Sequence, residues 1–87
     1  MPTRINFDES PELFTTSDLG LASALVAFGH ELHMIIKDGN SNKSQFTFRR
    51  DATIERDITA FWNDNLRINA RSYFDAIRLV KNRLHSN

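Results

Sequence analysis

The sequence predicts an α+β fold: one small domain in the order (β)αββαα, with an antiparallel hairpin packed against a buried first helix and two C-terminal helices. Three observations carry that prediction. Residues 19–28 are apolar almost throughout, with Ser23 the polar interruption. Residues 32–49 switch to a period of two around a turn-rich centre, and residues 54–84 return to helical spacing twice, interrupted by Asn63-Asp64-Asn65. At 87 residues the chain holds one core, burying about 60% of its unfolded surface. The domain is placed at 13–85, preceded by an arm at 1–12 that Pro2 and Pro11 punctuate.

Leu13 and Phe14 suggest a short edge strand. Thr15 or Thr16 caps the first helix by accepting a hydrogen bond from its first turn, and Asp18 adds negative charge where the helix dipole favours it. Leu21, Leu25 and Phe28 recur at i, i+4 and i+7, while Ala22, Ala24 and Ala27 admit close neighbours. A helix with almost no polar face is a buried one. It is about half the length a bilayer span needs, so no membrane role follows. Gly29 supplies the left-handed residue that ends helices.

Leu32, Met34 and Ile36 then alternate with His33, Ile35 and Lys37, the pattern of a strand with one buried face. Asp38-Gly39-Asn40-Ser41-Asn42 is a turn, and Phe46 and Phe48 form the apolar set of the returning strand. Matching the two apolar sets places Met34 opposite Phe48 or Phe46. Asp51 or Thr53 caps the next helix, whose Ile54, Ile58, Phe61 and Trp62 form the inner stripe, with Glu55, Arg56 and Asp57 outside. Asn69 caps the last helix, where Ala70, Tyr73, Ile77, Val80 and Leu84 make a narrow seam.

Composition excludes several chemistries. With no cysteine there is no disulfide, thiolate metal site or cysteine nucleophile, in keeping with a cytoplasmic location. The N-terminal residues lack the charged start and apolar run of a secretory signal, so the sequon at Asn42-Lys43-Ser44 has no consequence. His30 and His33 are three apart entering a strand, not four apart on a helix, so no metal site is expected. Three scattered glycines give no phosphate loop, and the Asp51, Glu55 and Asp57 cluster is interleaved with Arg49, Arg50 and Arg56 as a solvated helix start is. The sequence therefore predicts no enzyme, no cofactor and no catalytic residue.

Binding remains. Overall charge is zero, yet residues 67–87 carry a net +4 and residues 1–30 a net −3. On the last helix Arg71, Asp75, Arg78, Asn82 and His85 share the stripe opposite the seam, with Lys81 beside it and Arg67 just before. The leading expectation is a small protein-binding accessory or inhibitor module with a protein partner, using Phe46 on a strand edge and Leu79 off the seam. The alternative is a nucleic-acid-associated accessory protein in which Arg49, Arg50, Arg67, Arg71, Arg78 and Lys81 contact phosphates.

Phe14-Thr15-Thr16-Ser17-Asp18-Leu19-Gly20-Leu21-Ala22-Ser23-Ala24-Leu25, Gly29, Phe46-Thr47-Phe48, Phe61-Trp62 and the run from Tyr73 to Lys81 together resemble a small uncharacterised family of bacterial and mobile-element proteins, a domain of unknown function. The resemblance spans residues 13–84. It implies a common fold and no activity, and it carries over no catalytic residue; a viral or mobile-element origin goes with the protein-binding expectation.

Overall fold

A computed structural model describes residues 12–37 and 43–86. In chain order they form β1 (Leu13–Thr16), α1 (Leu19–Ala27), β2 (Leu32–Lys37), β3 (Ser44–Arg49), α2 (Ala52–Trp62) and α3 (Ala70–Ser86), the α+β order that the sequence predicts. Apart from Glu12, the expected arm lies outside the described residues, as does the turn at 38–42.

The sheet has the order β1-β3-β2, with β3 antiparallel to both neighbours. β1 and β2 are thus parallel to each other, and α1 makes the long connection that parallel strands require. Phe14 opposes Phe48 and Thr16 opposes Phe46 on one side of β3. Leu32 and Ile35 oppose the same two phenylalanines on the other side. This inner face packs against Leu21, Ala22 and Leu25 of α1, Ile54 of α2 and Val80 of α3. No element among the described residues covers the outer face, where Met34 and Ile36 are exposed.

The alternation expected for β2 fails partway along the strand. Leu32 is buried, but Met34 lies opposite Thr47 rather than a phenylalanine, and it is Ile35 that turns inward. The cause is a β-bulge between Leu32 and Met34: His33 is an extra residue, and one extra residue reverses the face of everything after it. Thr47 holds the bulge. Its hydroxyl accepts from the Met34 N–H at 3.1 Å and donates to the Met34 carbonyl at 3.0 Å.

The helix ends follow local chemistry, with one refinement. Asp18, not Thr15 or Thr16, is the N-cap of α1, its Oδ1 accepting from the Leu21 N–H at 3.0 Å. The Thr16 hydroxyl instead accepts from the Asp18 N–H, fixing the cap from behind. Gly29 takes φ +95° just after α1, a value that any side chain would disfavour. Asp51 caps α2 through Ile54, and Asn69 caps α3 through both Arg71 and Ser72.

The interior of α1 is sealed from Leu21 to Leu25. The inner faces of the later helices differ from their predicted stripes. On α2 the buried pair is Ile54 and Asp57, while Trp62 is 60% exposed. On α3 the seam is rotated toward Ala76 and Val80, leaving Ala70 exposed and Tyr73, Ile77 and Leu84 half-buried.

Candidate binding surface

Asp57 is the one acidic side chain buried among the described residues, at 3% exposure, although its neighbours in sequence suggest a solvated face. Its Oδ2 lies 2.7 Å from His30 Nε2, and its Oδ1 lies 3.4 Å from Arg56 Nε. The pair bolts the α1–β2 junction to the second turn of α2. A second tie reaches the same junction from α3, where Arg83 donates from Nη1 to the Leu32 carbonyl at 2.9 Å. His30 is therefore a clamp rather than a strand-edge histidine. His33 is exposed three residues on and shares a small groove with Glu31 and Arg49. Among the described residues no group of three or more His, Cys, Asp or Glu side chains converges as a metal site would require.

The more open feature is the corner between α2 and α3. The extended stretch after Asn63-Asp64-Asn65 brings Leu66 and Ile68 back beside Phe61, and Asn69 then starts α3 so that Ala70 and Tyr73 close the far wall. The result is an apolar cleft of about 390 Å³. Gly20 sets its base. The Tyr73 hydroxyl donates to the Gly20 carbonyl at 3.2 Å, and a Cβ at Gly20 would come within 3.4 Å of that hydroxyl and 3.2 Å of Asp18 Oδ1. Trp62 stands next to Phe61, ring edge to face with centroids 5.0 Å apart. A shallower groove between α1 and α3, about 290 Å³, is bounded by Val26, Ala76 and Leu79.

The outer face of α3 continues from the cleft. At about 100° per residue, Phe74 sits one turn beyond Ala70, among Arg71, Arg78 and Lys81. Phe74 is 55% exposed, and the Arg78 guanidinium lies 5.6 Å from its ring centroid. Arg71 is within 3.9 Å of Asp75, an exposed i, i+4 pair of little energetic weight. No carboxylate among the described residues is within ion-pair distance of Arg67, Arg78 or Lys81.

The residues singled out in the sequence divide accordingly. Arg71, Arg78 and Lys81 share one face of α3, and Arg67 immediately precedes it. Arg50 does not extend that face: it pairs with Glu55, donates to the Leu13 carbonyl and covers the Phe14 ring. Arg49 belongs to the groove with Glu31 and His33. Phe46 presents no surface, because β3 is the central strand and the side chain is 3% exposed in the core. Leu79 is 44% exposed, beside the α1–α3 groove. Trp62 and Phe74 are the exposed aromatics of α2 and α3 that sequence reasoning missed. Phe74 was readable from its angle, well off the seam, whereas Trp62 fits the inner stripe of α2 and becomes exposed only because the chain turns away beyond it.

This arrangement defines a small α+β domain with helices on one face of a three-stranded sheet, an apolar corner between α2 and α3, and cations along the outer face of α3. A family model described as a domain of unknown function (DUF5659) matches residues 11–86, and the chain belongs to that family. No curated protein and no solved structure gives a significant match. No helix among the described residues is long and apolar enough to cross a membrane.

Proposed function

We propose that this chain is a non-enzymatic protein-binding module, an accessory or inhibitor of bacterial or mobile-element lineage that works in the cytoplasm. The observation that carries the reading is the α2–α3 corner, where Phe61, Leu66, Ile68, Ala70 and Tyr73 line an apolar cleft and the same two helices each expose a further aromatic, Trp62 and Phe74. Aromatic side chains that bridge an apolar pocket and solvent are the residue type that anchors protein interfaces. Folding gains little from them where they stand, since most of their surface stays wet. Leu79 offers a separate apolar contact on the opposite side of α3 from Ala70, beside the α1–α3 groove.

A second reading, nucleic-acid association, is supported by Phe74 set among Arg71, Arg78 and Lys81, since a ring flanked by cations is how base stacking is combined with phosphate contact. The zero net charge of the chain and the apolar lining of the cleft favour the protein partner. The experiment is affinity purification of the tagged full chain from its host after nuclease treatment, beside Ala70→Trp, which fills the cleft from an exposed position. One stoichiometric protein retained by the parent chain and lost by Ala70→Trp is expected. A chain that retains no protein yet binds an oligonucleotide, with affinity falling steeply as salt rises, would replace the first reading by the second.

A further inference from the structure

We infer that the α2–α3 cleft receives an acidic peptide segment carrying one large apolar side chain, the apolar group seated among Phe61, Leu66, Ile68 and Tyr73 and its carboxylates facing the cations of α3. This rests on the protein-binding reading and names the chemistry of the partner. The cleft is near the small end of ligand pockets, about 300–1,000 Å³, so it fits a side chain or two rather than a domain.

Its lining points the same way. The polar atom that the wall side chains offer, the Tyr73 hydroxyl, is already engaged with the Gly20 carbonyl. A polar small molecule would therefore find, among the wall side chains, only the accepting lone pairs of that oxygen to offset its lost hydration, whereas an aliphatic or aromatic side chain needs no such partner. Orientation must come from the surface beyond the cleft, and along the outer face of α3 that surface carries cations. Between residues 63 and 82 stand Arg67, Arg71, Arg78 and Lys81 against Asp64 and Asp75. Asp75 reaches Arg71 only at 3.9 Å, and the other three cations have no carboxylate within ion-pair distance among the described residues. Exposed Phe74 lies within this set, one helical turn from Ala70, so apolar and positive surface alternate along α3 as the mirror of an acidic amphipathic segment.

The test presents the immobilised full chain to a random library of displayed twelve-residue peptides. Selected peptides are then synthesised with a fluorophore and titrated against the parent, Ala70→Trp and the Arg71→Glu/Arg78→Glu double variant. Thermal melts confirm that both variants fold, which their exposed positions favour. Enrichment of Leu, Ile, Phe or Trp beside Asp or Glu is expected. Binding should weaken roughly tenfold or more with the double charge reversal, fall as salt rises, and be lost in Ala70→Trp. As the parent chain has a single tryptophan, whose ring packs against the cleft residue Phe61, its emission gives a second readout of peptide binding in the parent and in the charge-reversed variant.

Apolar enrichment with no acidic bias, or affinity indifferent to the charge reversal, would overturn this inference and leave the protein-binding reading in place. Peptide binding untouched by Ala70→Trp would do the same by moving the contact elsewhere. No peptide enrichment, together with oligothymidine binding that depends on Arg78, would overturn both.

Discussion

Phe48 and Trp62 are both large aromatics that the sequence assigns to the interior, and they meet opposite fates. Phe48 lies on the central strand, with Phe14 and Leu32 on either side of it and the helices above. Trp62 occupies the last turn of α2, where the chain turns away at Asn63 and no later element returns to cover it. The contrast separates two uses of apolar surface in a domain this small. Around β3 and α1 it is spent on folding, and at the α2–α3 corner it is left available.

Truncation of each residue sharpens the contrast most. Phe48→Ala is expected to cost about 4 kcal/mol, enough to remove most of the stability of a small domain, as read by urea denaturation. Trp62→Ala should cost below about 1 kcal/mol in the same measurement, because surface truncations leave no cavity. If the two costs were alike, the corner would be part of the folding core and the binding proposal would fail.

Next in size is the buried hydrogen-bonding partner of His30. Asp57→Ala is expected to cost about 3 kcal/mol, the scale seen when one member of a buried pair is removed. A double-mutant cycle with His30→Ala should return a coupling above about 1 kcal/mol. A cycle in which the two effects simply add would mean that the pair does not hold the α1–β2 junction to α2.

The smallest effect has the opposite sign. Ser23 is fully buried in α1 and its hydroxyl has no hydrogen-bond partner among the described residues. Ser23→Ala should therefore stabilise the fold by about 1 kcal/mol, through removal of an unpaired polar group and a gain in helix propensity. Loss of stability in the thermal melt of that variant would show that the hydroxyl makes a contact within the helix bundle after all.

Much of the architecture could be read from local patterns, because its causes are local. Caps at Asp51 and Asn69, the left-handed Gly29 and the all-round apolar stretch of α1 act within a few residues of themselves. The candidate surface was only half visible. The cations of α3 follow from helical spacing, but Arg50 was drawn away by Glu55 and the Leu13 carbonyl, partners that spacing cannot reveal. Phe46 looked available on a strand edge because a hairpin has two edges, and pairing with β1 converted its strand into the centre of the sheet.

What the sequence by itself determined is therefore the order of the elements and the starts of α2 and α3, together with the burial of α1: all depend on periodicity and on hydrogen bonds between near neighbours. Tertiary structure alone decided which face each element shows. The bulge at His33 turned Met34 outward and Ile35 inward, β1 enclosed Phe46, and the junction carrying His30 drew Asp57 into the interior. These outcomes hinge on contacts between residues far apart in the chain, such as the 27 positions that separate His30 from Asp57. Such contacts are decided by shared volume and by the pairing of buried polar groups, neither of which a local pattern encodes.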